Sequence, residues 1–288
     1  MGAAGMLGRE LFSRLAEEHE VVGKDYGDFD LASALDCRRL VEENRPEVVI
    51  NAAAYTDVDG AEANEGKCFA VNAEGVKNIA LACRDKKITI VHFSTDYVFD
   101  GIKNAPYQEG DACCPLNVYG LAKRAGEEFL FDLADHYLLV RSAWLYGGEG
   151  KNFVSTVIEK GRALKQLDVV DDQVGSPTSV CDLVQAVKRL VEEGREGIFH
   201  VTNQGSCSWY EFARAIVEYA GLRDVEVRPI KSDRLARPAK RPGYSVLDGG
   251  KLSRETGVIM RHWRRALRDC LEKKAGIQNS EARSQEPE

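Results

Sequence analysis

Tyr119 and Lys123 stand four residues apart, a spacing that puts a phenol and an ammonium on one face of a helix. A free tyrosine gives up its proton near pH ~10, and each unit of lowering corresponds to about 1.4 kcal/mol of differential interaction. A neighbouring cation favours the phenolate, so such a pair can pass a proton near neutral pH. Upstream, the apolar run 88–93 (ITIVHF) ends in two hydroxyls, Ser94 and Thr95, followed by Asp96 and Tyr97. A strand tipped in this way can hold a substrate oxygen while the phenol protonates it. This is equipment for reducing a carbonyl. A Tyr-x-x-x-Lys pair by itself is common on ordinary helices; here a hydroxyl-tipped strand and a glycine-rich turn accompany it.

The turn is Gly2, Gly5 and Gly8 in a Gly-x-x-Gly-x-x-Gly pattern, with Leu7, Leu11 and Leu15 continuing at helical spacing. Glycines there let backbone N–H groups approach a pyrophosphate at a helix N-terminus, although glycines also serve plain turns. Such a turn ordinarily follows a strand, and almost nothing precedes it in this sequence. The usual first strand is therefore expected to be missing, through a start placed late or a sheet short of its central strand. Residues 20–25 read as the next strand, ending in Asp25 about twenty residues beyond the glycines, where an acid can bond ribose hydroxyls. Lys24 beside it leaves NADH and NADPH both open. Ser33 and Asp36 form a capping pair, and residues 46–54 a buried strand whose small tip suits either a flat cofactor or tight packing. Residues 69–83 read as a helix with Val71, Val76, Ile79, Ala80 and Cys83 inward, and 137–141 as a strand. Strands alternating with helices predict a Rossmann-like, doubly wound parallel sheet, with a ligand outside the strand C-termini at Thr95, Ala53 and Gly5.

The second half predicts a smaller α/β domain. Residues 167–170 read as a strand, 171–178 as a polar turn, 180–193 as a helix and 198–202 as a strand. Ser208 and Glu211 make a capping box ahead of an apolar face of Trp209, Phe212, Ile216 and Val217. The proline-stiffened run 237–242 offers Arg237 and Arg241 to a diphosphate, or is a solvated charged loop. Trp263, Ala266, Leu267, Cys270 and Leu271 define a last helix. The expected division is a dinucleotide-binding domain over 1–148, to which 179–203 returns. A substrate domain takes 149–178 and 204–275, and 276–288 is a disordered tail.

Composition narrows the function classes. A net charge of −7 argues against non-specific nucleic-acid binding, and 44% apolar with 30% charged residues is an ordinary globular balance. No apolar stretch approaches the roughly 20 residues of a membrane span, and no signal peptide precedes the turn. The eight cysteines include no Cys-x-x-Cys, and the five histidines lack metal-ligand spacing. Free thiols in a reducing cytoplasm are expected, with no metal site.

Together these motifs resemble the extended short-chain dehydrogenase/reductases, and among them the dTDP-4-dehydrorhamnose reductase family. The likeness rests on the glycine turn, 51–59 (NAAAYTDVD), 94–99 (STDYVF), 115–120 (PLNVYG), 141–146 (RSAWLY), 172–178 (DQVGSPT) and Arg241-Pro242 with Ser245 and Leu247. The resemblance implies that Tyr119 protonates the C4 oxygen of a keto-sugar. Lys123 would lower the tyrosine pKa and hold the nicotinamide ribose, and Thr95 would bond the sugar near C4. Gly2, Gly5, Met6, Leu7 and Gly8 would form the pyrophosphate turn. Asp25, Asp30 and Leu31 would meet the adenosine half, and Ala53, Ala54 and Tyr55 the strand tip beneath the cofactor. Asp96 and Trp144 would contact substrate, and Arg241 the nucleotide diphosphate. Tyr55, where some relatives carry histidine, and the missing first strand are departures.

The implied activity is NADPH- or NADH-dependent reduction of dTDP-4-dehydro-β-L-rhamnose for cell-surface polysaccharide. The enzyme would be a cytoplasmic monomer or homodimer, with magnesium left open. The rivals are another sugar-nucleotide reductase or epimerase, and a non-catalytic subunit like the regulatory partner of methionine adenosyltransferase.

Overall fold

The computed structural model describes residues 1–283, with side chains described through Lys273. In chain order come α1 (Met6–Leu15), α2 (Ala34–Asn44), β1 (Val48–Asn51), α3 (Val58–Ala63) and α4 (Glu65–Phe69). A π-helical turn, Ala70–Glu74, leads into α5 (Gly75–Cys83), followed by β2 (Thr89–Thr95), α6 (Val118–Leu133) and β3 (His136–Ser142). Then come α7 (Phe153–Ala163), β4 (Gln166–Val170), α8 (Val180–Glu192) and β5 (Gly197–His200). The remaining elements are α9 (Trp209–Tyr219), β6 (Glu226–Ile230), α10 (Gly250–Thr256) and α11 (Trp263–Arg283).

The main sheet runs β1-β2-β3-β5, every pair parallel. Side chains alternate across it, so each strand feeds two cores. Val91, Phe93, Leu138 and Val140 pack under α1 and α8 with Leu11, Leu15, Leu183 and Val187. Val49, Ile90 and Leu139 face the other way, against Cys37 and Leu40 of α2, Val76 and Ile79 of α5, and Leu130 of α6. A separate core under α7, α9 and α11 gathers Tyr146, Val157, Leu167, Phe212, Ile216, Trp263 and Leu267. There β4 and β6 pair in parallel.

Local signals act where they were read. Ser33 Oγ accepts from the Asp36 N–H at 3.2 Å to start α2, and Ser208 and Glu211 exchange both bonds of a capping box at α9. Two expectations fail. Residues 20–25 form no strand. The backbone between them and β1 is only residues 1–3, where Ala3 N–H donates to Lys24 O, and Met1 bonds Ile50 O through its amino group and Ala52 N–H through its carbonyl. A ladder needs repeated backbone bonds, and residues 20–25 take a single backbone–backbone hydrogen bond from that short segment. The polar run from residue 276, expected to be disordered, continues α11 to Arg283; residues 284–288 of that expected tail lie outside the described residues. Among the described residues no helix is long and apolar enough to cross a membrane.

Candidate active site

The C-terminal ends of β1 and β2, the start of α1 and the first turns of α6 meet at one place. Gly2, at φ +75°, sits against the Ala52–Ala53 backbone, where a Cβ would come within 2.6 Å of Ala53 N. A Cβ on Gly8 would lie 1.9 Å from Gly2 O, so α1 rests directly on the turn. A Gly5 Cβ would have 3.4 Å, so inside the protein itself that glycine is not sterically required. α1 begins without a side-chain cap and with no acid in its first turn, leaving its leading N–H groups to an outside acceptor. Asp25 turns its carboxylate onto the Ala4 N–H, and Asp30 accepts from the Ala32 N–H at 2.9 Å. Leu31 is buried under α2 and α5, where its carbonyl takes a bond from Asn78.

Tyr55 is held from behind by a residue that sequence reasoning missed. Asn72, in the π-helical turn, donates to Tyr55 O and accepts from Tyr55 N–H, both at 2.9 Å. The extra residue of a π turn aims that amide out of the helix and back along the strand tip. A buried asparagine inside an otherwise apolar helical run was the available signal. Tyr55 packs with Val118 and Tyr119 around Ala61, Cys68 and Ala122, which joins the segment after β1 to the helix carrying the phenol.

Thr95 closes β2, and its hydroxyl both donates to Asp96 Oδ1 at 3.0 Å and accepts from the Tyr97 N–H at 3.2 Å. Asp96 is buried, and among the described residues its Oδ2 makes no well-aligned hydrogen bond, although the Ser245 hydroxyl lies close enough to favour its charge. Burial pushes this carboxyl up to about 6. Tyr119 lies edge-on to Tyr97, ring centroids 6.0 Å apart. Burial and then the Asp96 charge push the Tyr119 phenol above its ordinary value, with the Thr95 hydroxyl acting the other way. The phenol is therefore raised, whereas the spacing to Lys123 suggested a lowered one. Lys123 turns instead into the sheet: its Nζ donates to Phe93 O at 2.6 Å and lies 3.4 Å from His92 Nε2. Burial lowers its pKa to about 8, against the pull of Glu127.

Trp144 packs against the core under α7, α9 and α11, and Arg241 reaches α3. Trp144 adopts φ +49°, a left-handed backbone that costs a bulky residue energy and persists only where its surroundings enforce it. Its indole stacks on Trp209 at 3.4 Å and 7°, and Gly175 lies close against the ring, where a Cβ would meet it at 2.5 Å. The 172–178 motif thus forms the seat of the tryptophan. Arg241 does not present a free guanidinium. Nη1 and Nη2 each donate to Asp59 at 2.9 Å in a two-pronged pair, and Arg237 adds a longer contact to the same carboxylate. Asp59, 182 residues away in sequence, carried no local signal of this pairing.

Gly8→Ala forces Cβ against backbone atoms that cannot swing aside, so the turn must open. NADPH affinity is expected to fall at least about tenfold and stability by about 1–3 kcal/mol. Fluorescence titration and urea unfolding measure the two.

Comparison with known proteins agrees with this geometry. The sequence matches the RmlD substrate binding domain family over residues 1–275. It is 43% identical over 269 residues to a dTDP-4-keto-6-deoxy-D-glucose reductase of Streptomyces niveus, across 92% of this chain and 93% of that protein. A dTDP-4-dehydrorhamnose reductase structure from Clostridium acetobutylicum is similar with a TM-score of 0.92 at 42% identity, covering 95% of this chain and 98% of that one. Another from Bacillus anthracis, solved in complex with NADP, gives 0.92 at 38%, covering 94% and 97%. The chain belongs to the RmlD substrate binding domain family.

Proposed function

We propose that this chain is an NAD(P)H-dependent reductase of the 4-keto group of dTDP-4-dehydro-β-L-rhamnose, giving dTDP-β-L-rhamnose for polysaccharide synthesis. The observation that supports it is the grouping of the Thr95 hydroxyl, the buried Asp96 carboxyl and the Tyr119 phenol at the end of β2, together with a turn in which Gly2 and Gly8 leave no room for a Cβ. The residues fit a dinucleotide. The uncapped start of α1, with Gly5, Met6 and Leu7, suits its pyrophosphate; Asp25 and Asp30 suit the adenosine half, and Ala53, Ala54 and Tyr55 the strand tip. When bound, the cofactor supplies the hydride.

The protein's own groups do the rest. Tyr119 keeps its proton through the neutral range and gives it to the C4 oxygen as negative charge develops there, an alkoxide being more basic than a phenolate. Thr95 bonds the same oxygen and orients it. Asp96, with one oxygen left without a well-aligned bond, accepts from a sugar hydroxyl, and Trp144 closes the apolar side. Arg241, braced by Asp59, faces the nucleotide end. On this reading residues 1–148 and 179–203 hold the dinucleotide, and 149–178 with 204–275 hold the sugar nucleotide. The enzyme works in the cytoplasm as a monomer or homodimer.

Stoichiometric loss of NADPH absorbance with dTDP-4-dehydro-β-L-rhamnose, and dTDP-rhamnose by NMR, is the test. Isomerisation without net oxidation would move the chain to the epimerases. Absence of turnover with a co-purifying partner enzyme would make it a binding subunit.

Asp96 also makes a pH prediction. Its folded value, about 6, lies above the ordinary 3.8, so the folded state binds the extra proton between these pH values and loses stability as pH rises through them. Asp96→Asn is expected to be more stable than the parent above pH 6, by about 1–3 kcal/mol, and equal to it near pH 4. The same variant is expected to lose substrate affinity. Urea titrations across that range check the sign.

A further inference from the structure

Behind Lys123, the residue expected to tune the phenol and hold the nicotinamide ribose, lie two buried polar groups, Asn51 and His92, that the mechanism above does not use. Asn51 ends β1, His92 lies beside it in register on β2, and Lys123 reaches down from α6; the three are 1%, 1% and 2% exposed. Asn51 Nδ2 is 3.2 Å from His92 Nδ1, and His92 Nε2 is 3.4 Å from Lys123 Nζ.

The direction of each bond follows from one fixed end. The Ala53 N–H donates to Asn51 Oδ1 at 3.1 Å, which orients the amide so that its NH2 group faces the imidazole. His92 Nδ1 must then accept, and a neutral imidazole that accepts at Nδ1 carries its proton on Nε2. That N–H points at Lys123. Burial and then the Lys123 charge hold His92 neutral, far below its ordinary value. A lysine facing an N–H donor on one side and Phe93 O at 2.6 Å on the other is satisfied as an amine, which donates to the carbonyl and accepts from the imidazole.

We propose that His92 is a positioning residue for Lys123, locked by Asn51 into the tautomer with its proton on Nε2 and thereby favouring the uncharged lysine. The consequence, which rests on the reductase reading above, is that Lys123 changes charge inside the working pH range. The groups facing Lys123 bound the effect. Cys68 from α4 and Glu127, one turn along α6, favour the charged form. β1 contributes only the neutral Asn51, and Leu139 flanks His92 on β3.

Two measurements test this. In the wild-type protein, long-range proton–nitrogen spectra of 15N-histidine are expected to show His92 protonated at Nε2 and not titrating between about pH 5 and 9. A proton on Nδ1, or a titrating imidazolium, overturns the proposal. His92→Phe keeps a flat ring and removes the donor. Its alkaline limb in kcat/KM is expected to move up by about half to one pH unit, with NADPH affinity within about threefold of the parent. A downward shift means that the imidazole was accepting from an ammonium, and an unchanged limb means packing alone; either result overturns the proposal. If the variant does not fold, the tautomer in the wild type still decides. If the wild type turns over no keto-sugar, the reductase reading falls by itself, and the spectrum reports on His92 independently.

Discussion

Tyr119→Phe is expected to lower kcat by about 10²–10⁴-fold, the size that loss of a general acid gives, and to leave the NADPH dissociation constant within about threefold. The change removes one oxygen from a ring that packs among Tyr55, Val118 and Tyr97, so the pocket keeps its shape. Fold and cofactor site are accordingly unaffected. The pH profile separates this role from a mere contact. Because burial and Asp96 raise the phenol, the parent's acid does not deprotonate in the neutral range, and no limb below about pH 9 belongs to Tyr119. A limb nearer pH 8 belongs to Lys123. The loss in the phenylalanine variant is therefore nearly constant from about pH 6 to pH 8. A variant that reduces the keto-sugar at close to the parental rate removes Tyr119 from the chemistry.

That assignment shows where sequence reasoning reached and where it stopped. The Tyr–Lys spacing put both residues on α6, and alternation of apolar runs put Thr95 at a strand end in a parallel sheet. Caps at Ser33 and Ser208 were legible because donor and acceptor lie within one turn of each other. Residues 20–25 have strand composition, and composition cannot report that the neighbouring backbone is three residues long. The environment of Lys123 was likewise hidden. Its partners are Phe93 O and His92, thirty and thirty-one residues earlier, brought under it by the packing of α6 on β2. The Arg241–Asp59 pair and the grip of Asn72 on Tyr55 also arise only in the folded chain. Spacing along a helix therefore placed Tyr119 and Lys123 on one element, and tertiary contacts set the surroundings of each.

Glu127→Leu costs about 3–5 kcal/mol, the expected penalty for leaving a buried charge without its partner. Glu127 is 0% and Arg141 1% exposed, and they meet in two parallel bonds, Nε to Oε1 at 2.8 Å and Nη2 to Oε2 at 2.6 Å. Arg124 adds a third bond at 3.0 Å. Without Glu127 the Arg141 guanidinium keeps only weak partners: the Phe99 ring, its centre 5.3 Å away, the Glu109 carbonyl, His200 and Cys113. The Glu109 carboxylate, which accepts from the His200 N–H, favours the guanidinium from farther off without pairing with it. Glu127→Leu combined with Arg141→Met is expected to recover most of the loss, since a fitted apolar pair escapes the desolvation of both ions. Acid distinguishes the two proteins further. Burial is the largest single influence and opposes the Glu127 charge, but the bonds and charge of Arg141 with the added bond from Arg124 together hold the carboxyl below its ordinary value. The pair's contribution is thus present above the unfolded carboxyl pKa and is lost as pH falls through the folded one, a slope the double variant lacks. Urea unfolding from about pH 3 to pH 7 measures both effects. The pair ties α6 to β3 one turn beyond Lys123, so the double variant, though stable, is expected to hold the lysine less firmly. A double variant as unstable as Glu127→Leu alone would show that the carboxylate supports α6 itself, and the charge on Arg141 would then not be the cause.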